Sequence, residues 1–496
     1  MRRLFLQRFF LPLFATATVF GAGAQAFHDG DIRWPSATEF AKNVSKWKSD
    51  HFLTSDDNFF ISRVRPRLRF RNVATQVNPD LVEGVNDKRL CAWLPINVIK
   101  SDGKRNSLPT GEFDSECFTM WSYVDHWGNW SAPLGAIPGN FTDVAHKNGV
   151  SVSSVASIPF GLISGEWSAS LNEIAALDAA DVAEMLVYYG ADGIGYNSEF
   201  SGYSKTKLAS LREMHGALTA RLNELYSKVT PGYNMAENLW YDGTSVDGEI
   251  LFDQGLASHN VDNWGAKGEE RTSLFFNYNW NNDERLRRTV ENAATLAGGR
   301  SPLYLYCGVN MQGGEPRMTK PTWSVMKDYP VSIGLWGAHS ENMFWQSRTD
   351  KGQSDASRQQ TYQSRLEQWF SGGRHNPADL PEITTATRCD TDDATFHGMA
   401  TFMSARSALK WDLAEAPFIT CFNVGNGTFF NWAGERANDN EWYNIGIQDY
   451  MPTWRWWIAD NLLGRDASER VKDINPSFTW SDARLGGSCL RIAGGA

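Results

Sequence analysis

The stretch that most constrains the fold runs over residues 180–201. Ala183, Leu186 and Val187 fall on one helical face, and Gly190 stands where a helix C-terminus takes a left-handed residue. Asp192 to Tyr196 is short and mostly small or apolar, as a buried parallel strand is. Asn197 and Glu199 follow it. Residues two apart in a strand face the same side, so the spacing predicts an amide and a carboxyl projecting together from one strand end. A helix, a tight turn, a buried strand and a polar strand end make the repeat unit of a β/α barrel. Catalytic groups in such barrels sit at the carboxyl ends of the strands.

The same unit recurs along the chain. Strands are predicted at residues 91–95, 120–125, 149–155, 192–196, within 231–241, and at 273–280, 303–309 and 332–337, with 418–423 as the last. Helices are predicted over 138–148, 180–189, 204–229, 282–297 and 362–370. Strand, helix and strand in short steps form βαβ units. The expected fold is an α/β (β/α)8 TIM-type barrel over residues 27–463. Residues 464–496 read as the opening strands of a C-terminal β-sandwich. One hairpin is marginal in water by itself, so this segment is either a truncated sandwich or a pair of strands packed on the barrel.

Arg2 and Arg3 precede an apolar run over residues 4–20, and Ala22-Gly-Ala24 and Ala24-Gln-Ala26 both suit cleavage. Residues 1–26 therefore read as a signal peptide, not a membrane anchor. A secreted, periplasmic or cell-surface monomer is expected. The net charge of −10, with no basic run after the signal, argues against nucleic acid and anionic membrane surfaces as partners. The 21 tryptophans suit both core packing and stacking on the C–H faces of sugars, and residues 121–130, with Tyr123 and Trp127, mix aromatic and polar side chains. The six cysteines form no Cys-x-x-Cys pair, and no His-Glu-x-x-His or Gly-rich phosphate loop occurs. No metal or organic cofactor is expected. Pairing of Cys91 with Cys117 and free buried thiols both remain open.

One carboxyl beside one amide suits substrate-assisted glycoside hydrolysis. There the 2-acetamido group of the sugar attacks its own anomeric carbon, so the protein supplies one acid/base and one group that orients the acetamide. Asp192-Gly-x-x-x-Asn197-x-Glu199 resembles the active-site strand of endo-β-N-acetylglucosaminidases of glycoside hydrolase family 85. The related chitinase-type Asp-x-x-Asp-x-Asp-x-Glu pattern of family 18 is broken here at Gly195 and Asn197. Further blocks follow in the family's order: Tyr123-Val-Asp125, Ala145-His-Lys-Asn-Gly-Val150, Trp240-Tyr-Asp242, Asn277-Tyr-Asn-Trp280 and Phe422-Asn-Val-Gly425. Gly243 and Phe252 stand where the family carries Ser and Trp.

The resemblance implies that Glu199 is the acid/base, that Asn197 orients the acetamide and that Tyr241 contacts it or its oxazoline. It also implies that Trp280 stacks on a sugar, that Asn277 hydrogen bonds one and that Phe252 forms an apolar wall. Tyr123, Trp127 and Asn423, with Trp442, are further expected site-lining residues. The implied substrate is an N-linked glycan, cut between its two core N-acetylglucosamines. His146 is tempting as a base but precedes a strand, so a structural role is expected. Two other readings stay open: a glycosidase pairing Glu199 with Asp192 or Asp125, and a catalytically dead carbohydrate-binding barrel.

Overall fold

The computed structural model describes residues 40–71, 78–94, 111–113, 117–133, 137–156, 171–198, 209–242, 255–311, 323–337, 352–372, 397–409, 419–451 and 474–494. Eight parallel strands close into a barrel: β1 Leu90–Trp93, β2 His126–Pro133, β3 Ser151–Ala156, β4 Gly193–Ser198, β5 Leu239–Asp242, β6 Ser273–Phe276, β7 Leu305–Asn310 and β8 Ser332–Trp336. Closure comes from β8 on β1, with Leu90 opposite Ile333 and Trp93 opposite Trp336. The expected (β/α)8 architecture is the fold of this chain. Helix α1, Phe40–Asp50, precedes the barrel. Helices α2 Gly139–Lys147, α3 Ala179–Tyr189, α4 Ala209–Ser227 and α5 Asp283–Leu296 alternate with its strands, and α6 Asp355–Ser371 follows them.

The delivery of β4 follows from local chemistry. The Asp178 carboxylate accepts from the Ala180 N–H and starts α3, whose buried face carries Val182, Ala183 and Leu186. Gly190 ends it at φ 94°, and its N–H donates to the Leu186 carbonyl. A Cβ at Gly190 would lie 2.4 Å from the Cβ of Ser62, so both the backbone angle and the space call for glycine.

Side chains alternate between two cores. Leu90, Ala92, Ile194, Tyr196, Trp240, Leu274 and Phe276 join the large core shared with the helices. Cys91, Trp93, Leu239, Tyr241, Phe275, Tyr306 and Trp336 form a second, inner cluster. Rings of this size fit inside eight strands because glycines face them. A Cβ at Gly334 would lie 2.3 Å from the Phe275 ring, and one at Gly308 would lie 2.8 Å from it.

The amino end of the barrel is closed by charge. Glu237 accepts from Arg89 Nη2 at 2.6 Å, Ser273 Oγ at 2.5 Å and Tyr306 Oη at 2.7 Å. Burial alone would raise the Glu237 pKa, but the Arg89 guanidinium outweighs it and holds the carboxyl at about 2. His126 lies beside this group and bridges Ser151 and Ser153 at 2.7 and 2.9 Å. Burial lowers its pKa, which keeps the ring neutral.

Two expectations are corrected. Residues 120–125 are not a strand: Trp121–Tyr123 is a 3-10 turn, and β2 starts at His126. The Tyr123 and Val124 N–H groups donate to the Met120 and Trp121 carbonyls, so this backbone bonds within itself and not across to a neighbouring strand. Residues 419–423 supply no barrel strand, since eight others already close the ring and Phe422 has a left-handed φ of 56°. After the barrel the described residues form short antiparallel pairs: Asn426–Gly427 with Trp442–Tyr443, Phe430–Trp432 with Glu435–Asn438, and Ile474–Thr479 with Cys489–Gly494. The last hairpin packs on the rest of the chain. Phe478 and Trp480 enter the main core, the Trp480 indole donates to Asn426 Oδ1 at 2.7 Å, and Ser488 Oγ accepts from the Val424 N–H at 2.8 Å.

Two outcomes test this packing. Gly334→Ala should cost about 1–3 kcal/mol in urea unfolding, because Phe275 must shift; an unchanged midpoint would refute the account. Arg89→Met should cost about 3–5 kcal/mol at pH 7, where Glu237 is left charged and unpaired. Glu237 contributes stability above its unfolded value of 4.5, and that contribution fades as pH falls towards its folded value of about 2. The penalty of Arg89→Met should therefore shrink on acidification, and a pH-independent penalty would count against the ion pair.

Candidate active site

The strand register brings the expected catalytic positions together. Asn197 on β4 pairs with Tyr241 on β5, and Ser198 with Asp242. Position 197 alternates with Tyr196, whose ring lies on the helix side, 4.9 Å from His215 and 5.2 Å from Trp240. The backbone of Asn197 is described, and Glu199 and Phe252 lie outside the described residues.

Tyr241 meets Asn277, whose Nδ2 donates to the Tyr241 hydroxyl oxygen at 2.5 Å. Aromatic rings hold the phenol in place. Trp336 stacks on it at 5.6 Å with an interplanar angle of 21°, Trp93 meets it edge-on at 6.3 Å, and Phe275 lies 5.8 Å away. Trp93 and Trp336 end two paired strands, so the carboxyl end of the barrel has an aromatic floor with one hydroxyl and one amide set into it. Sequence reasoning did not single out these two tryptophans. The signal available was their place within the predicted strands 91–95 and 332–337.

Four expected substrate contacts have other neighbours. Trp280 has no exposed surface, and its indole donates to the Gly308 carbonyl at 2.9 Å. No ring face is open to a sugar. Tyr123 is buried and stacks on Phe370 at 5.3 Å. Trp127 donates to the Leu94 carbonyl and packs on Phe118 and Phe141 in the layer between strands and helices. Asn423 shapes a turn: Nδ2 donates to the Ile447 carbonyl at 3.0 Å, and Oδ1 accepts from the Gly425 N–H at 3.2 Å. Trp442, also expected near the site, donates to the Phe429 carbonyl at 2.6 Å. Mixed aromatic and polar sequence serves here to satisfy buried indole and amide groups.

The candidate partner carboxylates sit at the opposite end. Asp192 accepts from His146 Nε2 and the Val152 N–H, both at 2.8 Å, and from the Tyr233 hydroxyl. Asp125 pairs with Arg69 at 2.6 Å and accepts from the Leu90 N–H at 2.8 Å. Six strand steps separate Asp192 from Ser198, about 20 Å. Paired glycosidase carboxyls stand about 5–10 Å apart. Asp192 and Asp125 are structural anchors, and so is His146, which also bonds the Val64 carbonyl.

Cys91 is a buried free thiol, so the pairing considered for Cys91 with Cys117 does not occur. Among the described residues no three His, Cys, Asp or Glu side chains form a metal-ligating group, and no helix is long and apolar enough to cross a membrane.

A family model described as glycosyl hydrolase family 85 matches residues 100–430, more than half of the 496 residues. The chain belongs to this family. It is similar to the cytosolic endo-beta-N-acetylglucosaminidase of Gallus gallus, 24% identical over 461 residues, which cover 89% of this chain and 50% of that protein. The human protein of the same name is 22% identical over 446 residues, covering 87% of this chain and 48% of its own length. The chain thus spans about half the length of the curated relatives it matches. Among solved structures, the glycoside hydrolase domain of Endo-D from Streptococcus pneumoniae R6 has the same fold. Its TM-score is 0.68 at 22% identity, over 93% of this chain and 66% of that one.

The names of the relatives correct one expectation. The Gallus gallus, Danio rerio and human proteins are all called cytosolic, which overturns the secreted, periplasmic or cell-surface location read from residues 1–26. Those residues lie outside the described ones.

The anchoring role of His146 is testable. Burial alone would lower its pKa, but the Asp192 carboxylate outweighs this and raises it. The pair therefore stabilises fully below the unfolded value of 6.5 and fades as pH rises through the raised folded value. His146→Gln should cost about 1.5–3 kcal/mol at pH 6 and less at pH 9, with glycosidase turnover per folded molecule retained. A loss of turnover without a loss of stability would return His146 to the catalytic candidates.

Proposed function

We propose that the chain is an endo-β-N-acetylglucosaminidase that hydrolyses the GlcNAc-β-1,4-GlcNAc bond of the N-linked glycan core by a substrate-assisted, retaining mechanism. The observation that carries this reading is the β4–β5 register, in which Asn197, two residues before Glu199, is the partner of Tyr241. Family membership and the names of the relatives agree with it.

In the first step the acetamide oxygen attacks the anomeric carbon from the face opposite the leaving sugar. Glu199 protonates the leaving oxygen as that bond breaks. Asn197 hydrogen bonds the acetamide nitrogen, and the Tyr241 hydroxyl orients the acetamide oxygen. The aromatic floor of Trp93, Phe275 and Trp336 gives the acetamide methyl an apolar surface and keeps water from beneath it. In the second step Glu199 takes a proton from water as it opens the oxazoline at the same carbon. Two displacements at one carbon retain its configuration, and a sugar hydroxyl in place of water makes the step a transglycosylation. A paired-carboxylate mechanism has less support, because Asp192 and Asp125 are spent at the amino end.

The direct experiment is mass spectrometry of a high-mannose glycoprotein incubated with the purified protein. Asparagine carrying a single N-acetylglucosamine is the expected product. Glu199→Gln should lower kcat at least about 10²–10⁴-fold, the usual worth of a positioned acid/base. Asn197→Gln should depress kcat more than it weakens binding. Undiminished hydrolysis by Glu199→Gln, or equal turnover of a substrate without the 2-acetamido group, would end this proposal.

A further inference from the structure

We propose that Asn277 is a positioning residue that fixes the direction in which the Tyr241 hydroxyl donates its proton; this rests on the reaction proposed above. The resemblance assigned Asn277 to a sugar, but its neighbours tie it to Tyr241. Its Oδ1 accepts from the Tyr278 N–H at 2.6 Å. A backbone N–H only donates, so the atom facing it is the oxygen, and the orientation of the amide is determined. Asn279 Nδ2 approaches the same oxygen at 3.5 Å. The other end of the Asn277 amide is therefore the NH2 group, which also only donates, and it meets the Tyr241 oxygen at 2.5 Å.

The consequence falls on the phenol proton. Conjugation keeps the O–H bond of a phenol near the ring plane, which leaves it two directions. The Asn277 N–H occupies one side of the oxygen as a donor, so the Tyr241 proton takes the other. The ring cannot turn to undo this, because Trp336 stacks on it and Trp93 and Phe275 bound it. Strand β5 lies between β4 and β6. Asn277 follows the end of β6, so the proton is turned away from β6, to the side where Asn197 on β4 is the register partner of Tyr241. Tyr241 then presents a donor of fixed direction before substrate arrives, and a preorganised dipole of this kind costs no reorientation during reaction.

Asn277→Asp tests this at nearly constant size, because a carboxylate only accepts. The Tyr241 proton should turn to the introduced carboxylate and be lost to the substrate. On a glycopeptide bearing the N,N′-diacetylchitobiose core, kcat should fall about 10²-fold, as when an oriented donor is removed, with KM little changed. In a Tyr241→Phe background the same substitution should change kcat by no more than about 2-fold, the scatter of independent effects. Binding of the thiazoline analogue of N-acetylglucosamine, a stable mimic of the cyclised acetamide, should follow the same pattern by calorimetry. If Asn277→Asp unfolds, Asn277→Ala in the same two backgrounds carries the comparison. An equal loss in both backgrounds, or full activity of Asn277→Asp, overturns the positioning role alone. A wild type that neither cleaves the core nor binds the thiazoline overturns the reaction and the role together.

Discussion

One buried carboxylate holds the barrel in register. Glu237 stands before β5 and is bonded to Arg89 before β1, Ser273 on β6 and Tyr306 on β7. A charge taken out of water this completely is tolerable only when every neighbour is complementary, and here three donors converge on it. The strands it joins carry the residues of the opposite end at fixed offsets. Tyr241 lies four residues beyond Glu237 and Trp93 four beyond Arg89. The geometry of the aromatic floor is thus set from below.

The two ends of the barrel divide the physical work. At the amino end, Asp125, Asp192 and Glu237 are committed to partners. At the carboxyl end the inner cluster around Tyr241 is aromatic, with the Asn277 amide on its hydroxyl, and the one carboxylate that ends β5, Asp242, accepts from Asn260 Nδ2 at 2.7 Å. The aromatic floor around Tyr241 suits the proposed reaction, in which the substrate brings its own nucleophile and the acetamide methyl needs an apolar surface.

The barrel was legible where local chemistry is strong. Asp178, Gly190 and the small residues of β4 act through the backbone, so their effects appear in the sequence. Strand β2 was misread because its His126 and Trp127 break the apolar pattern, while the turn before it carries Met120, Trp121, Tyr123 and Val124, all buried. The neighbourhood of Tyr241 and Asn277 was legible as a pair of strand ends, and the bond between them was not. Trp280 and Trp127 were read as sugar platforms, and Trp93 and Trp336 were passed over. A tryptophan in a sequence carries no mark of which face of its strand it will occupy, and only the closed ring decides that.

The glycines opposite Phe275 leave the inside of the barrel solid. A solid barrel has one doorway. For the proposed reaction, the departing saccharide, the incoming water and any acceptor sugar must all use the carboxyl end. Whichever arrives while the leaving sugar still fills that doorway is turned back. The balance between hydrolysis and glycosyl transfer then becomes a matter of traffic at the rim, with the chemistry on the floor common to both.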